Sequence, residues 1–229
     1  MGRFAGDRGD TVDSFFRAVV TADPSRPLLT YYDDGTGERT ELSGATLDNW
    51  VAKTANLLVD GCGLGPGDRA AVLLPPHWQT AAVLLGCWTA GLVVGSPPDV
   101  VFSAADRAGE APDAPDRYAL GLLPMAQPLR EVPPGFADYV AEVRPFGDRY
   151  AGPPGSGADL VADAVGRATR LGVTAADRVL VDAAAYPDPV DWLLVPLAAG
   201  ATTVLCGQCD PGRLAARITS ERVTRVLGR

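Results

Sequence analysis

The hydrophobic and polar positions follow two alternating patterns along the chain. Between residues 47 and 58, apolar side chains recur at i, i+3, i+4 and i+7, which predicts an amphipathic helix capped by Ser43. Residues 69–74 form an almost unbroken run of small and branched apolar residues, typical of a strand covered on both faces. This alternation predicts an α/β fold: a mostly parallel, doubly wound sheet with helices on both faces.

The same patterns place the other elements. Further helices are predicted at residues 12–21, capped by Asp10 or Thr11, and at 78–90, 136–143, 158–171, 189–199 and from Asp210 onward. Further strands are predicted at residues 28–32, 39–42, 92–94, 100–103, 117–122, 178–182, 202–205 and 223–227. The expected organisation is one domain over residues 1–229. It divides alternatively into two lobes, 1–122 and 158–229, joined by the irregular, Pro- and Gly-rich stretch 123–157.

Composition narrows the class of protein. The net charge of −8 and the pI of about 4.6 argue against nucleic acid as a partner. The N-terminus lacks the apolar core of a signal peptide, and the most apolar stretch, residues 70–94, is interrupted by Pro75, Pro76 and Gly91. We therefore expect a cytoplasmic protein that does not bind membranes.

Lysine is almost absent from the chain. Lys53 is the single lysine among 20 basic residues, a bias typical of a GC-rich bacterial genome. Any mechanism that needs a lysine therefore has one candidate. His77 is the single histidine. It precedes a predicted helix, where a histidine is more often exposed or a local hydrogen-bonding group than a catalytic base.

The four cysteines give no framework for a metal site. Cys62 and Cys87 lie at or near predicted helices and are interpreted as packing thiols. Cys206 and Cys209 have the spacing of a redox or metal-binding pair. No second pair of this kind exists and His77 is distant, so we interpret them as loop thiols after a strand and assign no metal ligand.

Several segments resemble motifs of one enzyme superfamily. They are GLGPGDRAAVLLPP at 63–76, LLGCWTAGLVVGSPPD at 84–99, DRVL at 177–180 and PLAAGAT at 196–202. These segments are similar to the N-terminal part of adenylate-forming (AMP-binding) enzymes, which include acyl-CoA synthetases, luciferases and peptide-synthetase adenylation domains. The resemblance implies the α/β fold of that N-terminal part.

The family's phosphate loop has a degenerate counterpart at residues 150–159. The family sequence is roughly [TS]-[SG]-G-[ST]-[TS]-G-x-P-K-G, and this chain has YAGPPGSGAD. The residues that would contact a nucleotide are Gly152, Gly155, Ser156 and Gly157. The segment lacks the lysine, has one hydroxyl past Tyr150, and contains two prolines that lack N–H donors. The resemblance thus implies no catalytic residue and no required cofactor, with ATP or AMP binding left open.

The resemblance to adenylate-forming enzymes also singles out one residue outside the phosphate loop. Tyr186 lies near the place where the family has an aromatic residue or histidine that lines the acyl pocket, although a surface tyrosine beside a turn fits equally. The family's Y-G-x-T-E motif, ribose-binding aspartate and catalytic lysine of the C-terminal domain have no counterpart in these 229 residues.

These departures suggest a function without catalysis. The first hypothesis is a truncated, non-catalytic relative, a pseudoenzyme that binds a partner or a small molecule. The alternative is half of a split acyl-adenylating ligase that another polypeptide completes. Because the family's later strands are absent, sheet edges are expected to be uncovered, which predicts a homodimer or another protein as partner.

Overall fold

The computed structural model describes residues 11–228, and these form the predicted α/β fold. The helices are α1 (Val12–Ala22), α2 (Gly44–Asn56), α3 (Trp78–Thr89), α4 (Tyr139–Val143), α5 (Ala158–Leu171), α6 (Val195–Ala199) and α7 (Pro211–Ser220). The strands are β1 (Pro27–Asp33), β2 (Glu38–Ser43), β3 (Arg69–Leu73), β4 (Val93–Val94), β5 (Val100–Ala104), β6 (Asp116–Leu120), β7 (Ala137–Asp138), β8 (Arg178–Asp182), β9 (Thr202–Cys206) and β10 (Arg225–Leu227). A π-helical turn, Leu57–Gly61, extends α2, and another, Val190–Leu194, leads into α6.

The strands form two sheets, each with five strands. The first sheet has the order β10-β8-β9-β1-β2 and so combines strands from both ends of the chain. The second has the order β4-β3-β5-β6-β7. Only the pairing of β1 with β2 is antiparallel within the described residues. The mostly parallel character predicted from the sequence is therefore confirmed.

Most of the apolar core is one continuous cluster that contains residues of both sheets and of α1, α2, α3, α5 and α6. Its largest fully buried side chains include Phe16, Trp192 and Tyr139. A smaller cluster joins Leu214 of α7 to Leu180 and to residues of β9. Helices therefore lie on both faces of the first sheet, as predicted.

Local chemistry explains where several elements begin. The hydroxyl of Thr11 accepts the N–H of Ser14 at the start of α1, and Ser43 accepts the N–H of Thr46 at the start of α2. Asp10, the other cap considered for α1, lies outside the described residues. Asp210 caps α7, and Pro211 occupies its first turn.

Two local expectations are wrong. Strand β3 is not covered on both faces: it lies next to the edge strand β4, and of its residues only Ala70 is buried. The helix predicted at 136–143 begins only at Tyr139, because Ala137–Asp138 pairs with β6 and Asp138 then caps α4.

A charged network fixes the end of α7 to the first sheet. The carboxylate of Glu221 accepts hydrogen bonds from the Tyr32 hydroxyl (2.6 Å) and from the guanidinium groups of Arg39 (3.0 Å) and Arg178. Burial alone would raise the pKa of Glu221, but these donors outweigh it and lower the pKa to about 2.

This network predicts how stability depends on pH. Because the folded pKa of Glu221 lies below its unfolded value, the group stabilises the fold above about pH 4.5. That contribution, about 2 kcal/mol after solvent screening, is lost as pH falls from about 4.5 towards 2. Urea denaturation of wild type and Glu221→Gln between pH 6 and pH 3 checks this, since the variant should show a flatter pH dependence. Parallel curves for the two proteins would contradict it.

No helix in the stretch 11–228 is both long and apolar enough to cross a membrane.

Candidate functional site

The degenerate phosphate loop lies where α1, α3 and α5 meet. The backbone N–H of Ser156 donates to the carbonyl of Trp88 at 2.8 Å, and the Ser156 hydroxyl donates to the carbonyl of Leu92 at 2.7 Å. The Ser156 carbonyl in turn accepts the N–H of Val12 at 2.9 Å. The backbone groups and the hydroxyl of this residue are thus hydrogen-bonded to other residues of the protein.

Close packing explains why glycine occupies three positions of this loop. A Cβ built at Gly155 would lie 2.8 Å from both the Asp13 Cβ and the Trp88 carbonyl oxygen. Gly157 has φ +88°, a conformation that favours glycine, and a Cβ there would lie 2.7 Å from a methyl group of Val12. A Cβ at Gly152 would collide with the ring of Tyr150.

The loop also carries little charge that would attract phosphate. Asp159 follows directly in the first turn of α5, and Asp13 lies beside Gly155. Both carboxylates would oppose the charge of a phosphate group at this helix end. The described geometry is that of a packed junction between helices.

Tyr186 occupies a separate place after β8. Its backbone N–H donates to the carbonyl of Asp182 at 3.0 Å in the turn that follows the strand. The side chain is partly buried against the main apolar cluster. Among residues 11–228, no hydrogen bond joins the Tyr186 side chain to the degenerate loop.

Lys53 has a structural position. Its ammonium group donates to the carbonyls of Arg144 (3.1 Å) and Phe146 and pairs with the Asp148 carboxylate at 2.8 Å. These contacts hold the 144–148 connection against α2. The ammonium group of the single lysine is therefore bonded to residues 144–148, which lie just before the degenerate loop.

His77 and Glu38 form a buried pair that the sequence did not predict. The Nδ1 atom of His77 accepts the N–H of Gln79 at 3.0 Å, which caps α3. The Nε2 atom lies 3.7 Å from the Glu38 carboxylate, and both side chains are nearly inaccessible to solvent. The expectation of a local hydrogen-bonding histidine is confirmed, whereas that of an exposed one is wrong.

Glu38 stays ionised in spite of its burial. Burial raises the pKa of Glu38, but His77 together with donors from Thr40 and Trp78 outweighs it and lowers the pKa. The pair joins β2 to the start of α3. Motif spacing in the sequence could not have revealed this pair, because His77 lies 39 positions beyond Glu38, in the connection between β3 and α3.

A second unpredicted feature is the guanidinium group of Arg217 in α7. It contacts the Asp34 carboxylate at 2.6 and 3.1 Å, lies 4.2 Å from the centre of the Tyr32 ring, and donates to the Cys206 sulfur at 3.3 Å. The side chain is 6% exposed. All four cysteines are free thiols.

A cavity of about 250 Å³ lies between α1 and the C-terminal end of α6. Its lining is mainly apolar and includes Phe15, Val19 and Leu197. Arg26 lies at the cavity and donates to the carbonyl of Gly200 at 3.0 Å. Neither the loop at 152–157 nor Tyr186 lines this cavity.

Comparison with known proteins identifies the family. Residues 16–97 match the family model described as AMP-binding enzyme. A TIGR03089 family protein of Mycobacterium tuberculosis is 46% identical over 229 aligned positions, which cover 91% of this chain and 94% of that protein. The chain belongs to the TIGR03089 family, within the adenylate-forming superfamily. The match to a rat mitochondrial acyl-coenzyme A synthetase, ACSM2, is local: 42% identity over 86 residues, 37% of this chain and 15% of that enzyme.

Solved structures show the same fold for this family member. An acyl-CoA synthetase of Brucella canis superposes with a TM-score of 0.78 at 20% identity, covering 97% of this chain and 48% of that one. The N-terminal domain of FACL13 from Mycobacterium tuberculosis gives a TM-score of 0.69 at 17% identity, covering 95% of this chain and 62% of that domain. The chain therefore corresponds to about half the length of the acyl-CoA synthetase structure it resembles, and the likeness to both structures concerns the fold.

Proposed function

We propose that this TIGR03089 family member does not catalyse adenylation and acts by binding another protein or a small molecule. The observation that supports this is the arrangement of Ser156. Its N–H and hydroxyl would have to be directed at ATP phosphates in a working loop, and here they bond to the carbonyls of Trp88 and Leu92. Activation of a carboxylate by ATP depends on donors and positive charge positioned around the ATP phosphates. Residues 150–159 contain neither lysine nor arginine.

The first test is ATP–pyrophosphate exchange with a panel of carboxylic acids. We expect no exchange above background, because the loop offers no cation and its hydroxyl is occupied. A known acyl-CoA synthetase run in the same assay is the control. Exchange that is abolished by Ser156→Ala would show that the loop binds nucleotide and would overturn the proposal.

Thermal-shift measurements test whether the same loop binds nucleotides, independently of catalysis. A ligand that binds only the folded state raises the melting temperature, so a screen with ATP, AMP, CoA and acyl-adenylate analogues reports binding without turnover. No shift with ATP or AMP fits the proposal. If exchange appears only after a second polypeptide is added, the protein is instead half of a split ligase.

The proposed partner is a second copy of this chain. The edge strands are β10 and β2 in the first sheet and β4 and β7 in the second, and an uncovered edge favours pairing with another chain. At β4 the side chains of Val93 and Val94 are 49% and 39% exposed, whereas within residues 11–228 no large apolar side chain of β2, β7 or β10 is exposed. The β4 edge is therefore the one that carries exposed apolar surface, and we place the homodimer contact there.

Light scattering coupled to size exclusion tests the homodimer. Wild type should have twice the monomer mass at micromolar concentration. Val94→Lys should shift the mass to that of a monomer, because a charge at an edge strand opposes pairing. Val165→Lys is the matched control, since Val165 is 44% exposed on α5 and away from the edge. A monomeric wild type would contradict the proposal.

A further inference from the structure

The cavity between α1 and the C-terminal end of α6 has an apolar wall. Phe15 and Val19 lie one turn apart on α1, and Leu197 of α6 lines the same space. Ala18 and Ala22 add small, exposed side chains, so the cavity opens towards solvent beside α1. Its volume of about 250 Å³ lies just below the range of about 300–1,000 Å³ that is usual for drug-sized ligands, so it suits a smaller molecule. Burial of the apolar part of such a molecule against this wall is favourable.

The cavity also holds one cationic side chain. The Arg26 guanidinium donates from Nη1 to the Gly200 carbonyl at 3.0 Å and from Nη2 to the Ala175 carbonyl at 3.5 Å, and both of these residues line the cavity. These two bonds hold the guanidinium in place. Within residues 11–228 it forms no ion pair with a carboxylate. A guanidinium has more N–H donors than these two bonds use, so the others are available to an oxyanion.

Asp23 brings the opposite charge to the same cavity, but it is bonded within its own turn. Its Oδ1 atom accepts the backbone N–H groups of Ser25 (3.2 Å) and Arg26 (3.1 Å) and the Ser25 hydroxyl (2.9 Å). The Asp23 carboxylate therefore leaves the charge of the Arg26 guanidinium unpaired. Its own negative charge nearby weakens the attraction of an anion without cancelling the hydrogen bonds that Arg26 offers.

We propose that this cavity binds a small apolar organic anion, with its apolar part against the wall of Phe15, Val19 and Leu197 and its anionic oxygens hydrogen-bonded to Arg26. The wall supplies affinity, whereas the guanidinium selects an anionic head group over a neutral one. The small-molecule binding of the proposed function thereby gains a site and a ligand class, and the assignment rests on that part of the proposal.

The test is isothermal titration calorimetry of the full chain with hexanesulfonate and with hexanoate, in the absence of ATP. Hexanol is the neutral probe of matching chain length, and methanesulfonate is an anion without the apolar tail. At least one of the two longer anions should bind with a Kd about tenfold or more below that of hexanol, and methanesulfonate should not bind. Hexanol that binds as tightly as the anions would overturn the proposal, as would the absence of binding by both anions. The exchange assay tests the lack of adenylation separately.

Variants of the two charged residues test the recognition of the anion. Arg26→Met should weaken binding of the anion about tenfold and leave that of hexanol unchanged, because only the charged contact is removed. Arg26→Lys should keep part of the preference for an anion, and Asp23→Asn should strengthen anion binding. Arg130→Met is the matched control and should bind like wild type, since Arg130 is exposed and lies outside the cavity lining. An Arg26→Met protein that binds the anion as tightly as wild type would contradict the assignment.

Ala18→Leu tests whether the ligand occupies the cavity itself. The larger side chain would fill the space from the exposed side of α1, so the anions and hexanol should lose binding together. The melting temperature without ligand should stay close to that of wild type and shows that the variant is folded. If light scattering shows that Ala18→Leu converts a dimeric wild type into a monomer, a second copy of the chain covers the cavity and the proposal fails.

Discussion

Replacing Arg217 with methionine should lower the free energy of unfolding by about 3–5 kcal/mol. The Arg217 side chain is 6% exposed and contacts both carboxylate oxygens of Asp34, whose own side chain is 9% exposed. The hydrogen bond from Arg217 also lowers the pKa of Asp34. Methionine retains most of the apolar volume but removes both guanidinium contacts from the largely buried Asp34 carboxylate, which keeps only the N–H of Asp210 (2.7 Å) and the more distant Arg213 guanidinium. Losing one half of a buried ion pair is the costly change.

Arg213 provides the control for this prediction. It lies one turn earlier in α7 and approaches the same carboxylate at 3.6 Å, but its side chain is 62% exposed. Arg213→Met should therefore cost at most about 1 kcal/mol. Urea denaturation followed by circular dichroism measures both variants. Adding Asp34→Asn to Arg217→Met should recover part of the loss, and equal losses for the two arginine variants would show that the carboxylate is not the cause.

Gly155→Ala should cost about 1–3 kcal/mol through overpacking. The added Cβ would lie 2.8 Å from the carbonyl oxygen of Trp88 and from the Cβ of Asp13. Neither contact involves the far end of a flexible side chain, so α1 or α3 must shift. The loss tests the conclusion that this loop is a packed junction between helices.

Gly95→Ala is the matched control for this second prediction. A Cβ built there meets no atom within 4 Å, and its φ lies outside the left-handed region. Gly95→Ala should leave stability unchanged or raise it by up to about 1 kcal/mol, because alanine restricts the unfolded chain. Melting curves of both variants with and without ATP separate packing from ligand binding. A Gly155→Ala protein as stable as wild type would show that the loop is open and free to bind a ligand.

Much of the local structure could be predicted because caps and periodicity are local signals. The predicted bounds of residues 158–171 and 178–182 agree with α5 and β8. The Gly at position 172 ends α5 in a left-handed conformation, which a sequence reader can anticipate. The helix at 136–143 was misplaced because the pairing of β7 with β6 takes its first residues, and such a pairing has no local signal.

At the candidate site, the sequence established which types of side chain are present. It showed that residues 150–159 have no lysine and one hydroxyl past Tyr150, and that the chain has a single lysine. It could not show where Ser156 directs its donors, because the carbonyls of Trp88 and Leu92 lie more than 60 positions earlier and on the far side of the irregular stretch. The nucleotide-binding role of the four loop residues and the pocket role of Tyr186 stay predictions.

The sequence by itself determined the α/β class, the resemblance to adenylate-forming enzymes and the types of residue available for chemistry, since these depend on composition and short-range pattern. The tertiary structure alone decided that the strands divide into two sheets, with β1 and β2 joined to β8–β10. It also decided the buried pairs His77 with Glu38 and Arg217 with Asp34, whose partners are 39 and 183 positions apart. Such pairs form only when distant strands and helices pack, because burial excludes the water that would otherwise solvate each polar or charged group.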